Sequence, residues 1–124
     1  ILKVRLKKYK FYKKSLKILE EQKQIQLPIV PEYCHHNAHL FYLLVSSYKH
    51  QQEIIDLFKR NNILSVFHYI PLHSSPAGRK YCRTHGSLQV TNQKYQCLIR
   101  LPLFASITET SQMKVVSVLE SYFL

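Results

Sequence analysis

The chain has 124 residues, 46% of them hydrophobic and 20% charged, with a formal net charge of +11. That is enough for one domain with a modest core. Two glycines in all exclude a Gly-rich phosphate loop, and no run reaches the roughly eighteen apolar residues of a membrane span.

Ile1 to Lys8 mixes charge with apolar residues and lacks the apolar core of a signal peptide. With no initiator methionine it reads as an internal start. Over residues 1 to about 24, Leu2, Leu6, Tyr9, Tyr12, Leu16 and Leu19 recur at helical spacing and predict an amphipathic helix. Lys3, Lys7, Lys10, Lys14 and Lys17 repeat at the same spacing on another face. This segment holds nine Lys or Arg against Glu20 and Glu21, a net +7, while the rest of the chain holds nine against five, a net +4. The apolar stripe is expected to need cover from a neighbouring domain.

Residues 27–39 read as an extended connection punctuated by Pro28 and Pro31. His39 to Val45 predicts a strand, with Ser46 or Ser47 capping a helix over 49–60 whose Ile54, Leu57 and Phe58 face inward. Asn61-Asn62 suits the left-handed stop of that helix. Ile63 to Tyr69 predicts a second strand, 74–90 a loop-rich insertion, and 91–99 a helix capped by Thr91. Ile99 to Phe104 predicts a short third strand broken by Pro102, and Thr108 caps a last helix with Val115, Val116, Leu119 and Tyr122 inward. The expected fold class is α+β: a small sheet of about three strands covered by helices and preceded by a long amphipathic helix.

Cys34, Cys82 and Cys97 are odd in number and lack CxxC spacing, so they read as reduced thiols of a cytoplasmic protein. His35-His36-x-x-His39 invites a zinc reading, but a loop pair and a strand-start histidine are poor converging ligands. Ser46-x-x-Lys49 and Ser111-x-x-Lys114 match a short catalytic pattern without its companion motifs, and both lysines read as surface residues. The richest stretch is Phe67-His68-Tyr69-Ile70-Pro71-Leu72-His73-Ser74-Ser75-Pro76-Ala77-Gly78. Pro71 cannot donate to a sheet ladder and forces a turn, which places His68, Tyr69 and His73 at a strand mouth. Imidazole and phenol groups there suit a phosphate or a sugar hydroxyl. Arg79 lies just past that turn.

Taken in order, Asn37-Ala38-His39-Leu40-Phe41-Tyr42, the 67–78 stretch and Leu101-Pro102-Leu103-Phe104 resemble the C-terminal part of the nucleotide-sugar aminotransferases of the DegT/DnrJ/StrS type. That family uses pyridoxal phosphate (PLP). The resemblance implies an interdomain helix over 1–26 and a small domain over 27–124, with the large PLP-binding domain upstream of residue 1. It implies that L-glutamate and a dTDP-linked sugar, dTDP-4-dehydro-6-deoxyglucose of enterobacterial common antigen and lipopolysaccharide synthesis, are the substrates. It also implies a partner in the large domain or a second subunit, and His73, Tyr69 and His68 as substrate contacts. No catalytic residue is expected here, since the PLP lysine and its companion aspartate match nothing in the chain. The 124 residues alone are expected to bind no PLP. The competing reading is a basic module whose 1–24 helix meets nucleic acid or an acidic partner.

Overall fold

A computed structural model describes all 124 residues. Helix α1 (Leu2–Ser15) runs into a short α2 (Lys17–Glu21), with Leu16 as the joint between them. The left-handed Lys23 lets the Gln24 amide reach back to the Leu19 carbonyl, which closes α2. Strand β1 (Phe41–Leu44) pairs antiparallel with β2 (Leu98–Leu101), Phe41 opposite Leu101 and Leu44 opposite Leu98. Between them lie α3 (Tyr48–Arg60), a 3₁₀ turn (Leu72–Ser74), α4 (Pro76–Tyr81) and α5 (Gln89–Cys97). Helix α6 (Glu109–Phe123) ends the chain.

The core follows from the two periodicities. Phe41 and Leu43 of β1 and Ile99 and Leu101 of β2 alternate inward. They meet Tyr9, Tyr12, Leu16 and Leu19 from the first helices, Ile54 and Phe58 from α3, and Val115, Val116 and Leu119 from α6. The helical stripe is therefore covered by the chain itself. This corrects the expectation that a second domain must cover it, and only Leu2 at its start stands half exposed. Three polar ties fix α1: Arg5 Nη2 donates to the His39 carbonyl, the Tyr12 hydroxyl to the Pro102 carbonyl at 3.0 Å, and the Gln112 amide to the Lys8 carbonyl at 3.0 Å. Burial pushes the Tyr12 phenol well above its ordinary range, with the Gln112 hydrogen bond acting the other way.

The sheet has two strands, not three. Ile63 to Tyr69 touches it at a single bridge, Val66 to Arg100. The Arg100 amide donates to the Val66 carbonyl at 2.8 Å, but the Arg100 carbonyl is taken by the Ser65 hydroxyl at 2.7 Å. A side chain thus occupies a ladder acceptor, and the chain leaves the sheet toward Pro71. Three other expectations change. β1 begins at Phe41, so His39 precedes the strand. The 74–90 insertion contains α4, capped by Ser75 through the Gly78 amide at 3.0 Å. And α5 starts at Gln89 behind a left-handed Leu88, so Thr91 is inside it and caps nothing. The expected caps Ser47 and Thr108 do accept from His50 and Ser111, and Asn62 takes the left-handed stop after α3.

Candidate functional site

After its bridge the chain runs exposed from Phe67 to Ile70. The rings of His68 and Tyr69 meet edge-on, 4.9 Å between centroids, and Tyr69 remains 68% exposed. Pro71 then starts the 3₁₀ turn, and its carbonyl accepts from the Ser74 amide and from the Ser74 hydroxyl, both at 3.0 Å. The Ser75 hydroxyl both donates to the Leu72 carbonyl at 2.8 Å and caps α4. Gly78 is needed there, because a Cβ would sit 1.6 Å from the Leu72 oxygen. The turn and α4 are thereby folded tightly back on each other.

His68 and Tyr69 line an open pocket of about 550 Å³ whose far wall is α5, with Val90, Thr91, Lys94 and Tyr95. Two phenol rings, one imidazole and one ammonium surround it, and no carboxylate does. Such a lining suits a flat or apolar group carrying negative charge. His73 is not in that lining. Its Nε2 lies 2.8 Å from Asn92 Oδ1, so the turn is pinned to α5. With Asn92 accepting, Nε2 carries the proton and Nδ1 is left as an acceptor in the neutral ring. The structure therefore brings His68 and Tyr69 together and sets His73 on a neighbouring contact. Asn92, Lys94 and Tyr95 were missed, since their helix was judged by its cap and not by what it faces.

The remaining candidates are dispersed. Arg79 is exposed on α4, Lys49 is exposed and 3.8 Å from Glu53, and Lys114 is exposed on α6. No three metal-ligating side chains converge anywhere, the 35–39 histidines included. His36 packs at a tilt against Tyr9, and His39 Nδ1 lies 3.2 Å from Asn37 Oδ1. PLP needs a lysine for its aldehyde and an acid near its ring nitrogen. Here Lys94 has no carboxylate beside it in the pocket, while Asp56 lies on α3 with Glu53 and Arg60. The residues present do not assemble a PLP site.

The profile of the DegT/DnrJ/EryC1/StrS aminotransferase family matches residues 1–120. The chain belongs to that family. Its fold is similar to part of an aminotransferase TlmJ from Streptoalloteichus hindustanus, at TM-score 0.85 and 15% identity over 98% of this chain and 31% of that one. Helicobacter pylori PseC, an aminotransferase involved in the biosynthesis of pseudoaminic acid, gives 0.82 at 19% identity over 98% of this chain and 33% of its own. The Bacillus subtilis ntda structure with bound cofactor PMP gives 0.81 at 24% identity, over 95% and 27%. The chain thus spans about a third of the length of these neighbours. No helix in it is long and apolar enough to cross a membrane.

Proposed function

We propose that these residues are the C-terminal small domain of a cytoplasmic, PLP-dependent nucleotide-sugar aminotransferase. Residues 1–26, with α1 and α2, form its interdomain segment, which also packs on the 27–124 domain. The parent enzyme moves an amino group from L-glutamate to dTDP-4-dehydro-6-deoxyglucose, as dTDP-4-amino-4,6-dideoxygalactose transaminase does for enterobacterial common antigen. The family match over residues 1–120 carries this reading. PLP and the residues that hold it belong to the remainder of that enzyme, and a dimer partner or large domain completes the cleft. The contribution of this chain is the wall made by His68 and Tyr69, with His73 bracing it from Asn92. The Tyr69 hydroxyl and His68 imidazole bind and orient the sugar nucleotide, and the chain by itself transfers nothing.

The test is a chimera in which these residues replace the matching third of a full-length family member. Tyr69→Phe keeps the ring and removes the hydroxyl. It is expected to raise KM for the dTDP-sugar about tenfold, the loss of roughly 1.4 kcal/mol, with the glutamate half-reaction unchanged. His73→Ala is expected to act in the same direction through the turn. Equal losses in both half-reactions, or no change in sugar affinity in either variant, would remove this segment from the substrate site.

A further inference from the structure

Four buried side-chain polar atoms have no hydrogen-bond partner, and three of them are Arg5 Nε, Tyr9 Oη and His36 Nε2. These three share one corner of the molecule. Arg5 and Tyr9 are one turn apart on α1, the His36 ring packs at a tilt against Tyr9 with centroids 4.4 Å apart, and Arg5 Nη2 donates to the His39 carbonyl. Tyr9 is 4% exposed, so its hydroxyl has no bulk water to turn to. Tyr9, His36 and His39 also line a pocket of about 400 Å³ that contains no Asp or Glu, and Arg5 stands outside that lining, tied to it through the His39 carbonyl. It lies at the 28–42 segment, away from the His68–Tyr69 wall. A buried donor left unpaired carries its full desolvation penalty, so three together are a standing cost that a suitable acceptor would relieve.

We infer that Arg5, Tyr9 and His36 form a binding site for a single phosphate group, either the free ion or the head of a small monoester. All three can donate: Arg5 through Nε–H, Tyr9 through its hydroxyl, and His36 through Nε2–H in one tautomer or when protonated. Arg5 Nη2 already donates to the His39 carbonyl, which holds the guanidinium in place while its Nε–H stays unpaired. Three single donors from three different side chains suit a tetrahedral oxyanion, which offers acceptors in several directions. The surroundings are cationic as well. Desolvation, then His39 and then Lys13 hold the His36 imidazole below its ordinary pKa, and no carboxylate acts on it. A bound anion would reverse that pressure. The three atoms are closed to solvent in this conformation, so the partly buried His36 ring has to move off Tyr9 for an anion to enter.

The experiment follows thermal unfolding of the whole 124-residue chain in potassium phosphate, in glycerol 3-phosphate and in potassium chloride, at matched ionic strength. The His36 ring is titrated by NMR in each. Phosphate stabilises most folded proteins by exclusion from their surface, so the comparison is between wild type and Tyr9→Phe. Expected are a saturable rise in Tm with phosphate that falls by at least half in Tyr9→Phe, and an upward move of the His36 titration in wild type. A response to inorganic phosphate alone would make this a free-ion site, and a response to both would open it to monoesters. Tyr9→Phe keeping the full phosphate gain, with the His36 titration unmoved, would overturn the assignment.

Discussion

Gln51 offers the sharpest test of how the helices are locked to the sheet. It is 1% exposed, and its amide donates at 2.8 Å to both the Tyr95 and Leu98 carbonyls. Those carbonyls bracket the join of α5 and β2, where helix carbonyls have run out of intrahelical donors. Gln51→Met keeps the volume and removes both donors. Each lost neutral hydrogen bond is worth about 0.5–1.5 kcal/mol, and each buried acceptor left bare costs about 1–3 kcal/mol. A destabilisation of about 2–4 kcal/mol is expected, a large share of the roughly 5–15 kcal/mol typical of a domain. Urea unfolding should show a lower midpoint with an unchanged m-value.

Gln51→Glu puts a sign on the same argument. Its carboxylate can only accept and would face two acceptors, whereas its protonated form can donate to one. The folded-state pKa of the new group is therefore raised above its unfolded value. Between the two values the native chain holds more protons than the unfolded chain, so stability falls as pH rises through that window. The gap to wild type should be smallest at low pH and widest above neutrality. A Met variant within 0.5 kcal/mol of wild type, or a Glu variant whose gap ignores pH, would refute the reasoning.

Gly78→Ala forces a Cβ to within 1.6 Å of the Leu72 oxygen. It is expected to cost about 1–3 kcal/mol or more and to speed hydrogen exchange over 72–81 while α3 and α6 stay protected. The Tyr122 hydroxyl donates to Glu53 across α6 and α3, and burial followed by that carboxylate raises its pKa to about 12. Being raised in the folded state, it contributes stability that is complete below about 10, the unfolded value, and lost as pH climbs through about 12. Tyr122→Phe should flatten the stability profile in that window. Deleting residues 1–24 removes Tyr9, Tyr12, Leu16 and Leu19 from the core, each worth about 1.5–3 kcal/mol. The shortened chain should lose cooperative unfolding by circular dichroism, and retained cooperativity would show that the helix is dispensable.

What was legible in the sequence was whatever a single periodicity or cap controls. Ser47 and Thr108 announced their helices, and Asn61-Asn62 announced a stop. Spacing gave Ile54 and Phe58 of α3 and Val115, Val116 and Leu119 of α6 as inward, whereas Leu57 is only half-buried at the surface and Gln51 takes the buried place on α3. The failures are places where a non-local partner decides. Ile63 to Tyr69 has strand propensity and β-branched residues, yet Ser65 takes the carbonyl that the next ladder bond would need. The stripe Leu2–Leu19 could be seen, but not what covers it, because the answer lies in β1 and α6. Likewise His68 and Tyr69 were visible as chemistry. Lys94, Tyr95 and Asn92 became visible only once α5, which carries them, lay against the 68–73 segment.

The division between these two kinds of feature also runs through the molecule. Helices α1, α3 and α6 with the two strands bury a continuous core and tie their polar groups to one another. The 64–72 segment does the reverse, leaving Leu64, Val66, Phe67, Tyr69, Ile70 and Leu72 exposed to solvent. Apolar exposure on that scale is costly in water and uncommon on a finished surface. It is tolerated because the segment is braced elsewhere, by Ser65 on Arg100, by the Pro71 carbonyl on Ser74 and by His73 on Asn92. None of those three bonds uses His68 or the Tyr69 hydroxyl. The side chains best suited to a ligand are thus the ones the fold does not need for itself, so substitutions at His68 and Tyr69 can report on binding without reporting on stability. Substitutions at His73 report on both, which is why Tyr69→Phe is the cleaner probe of the site.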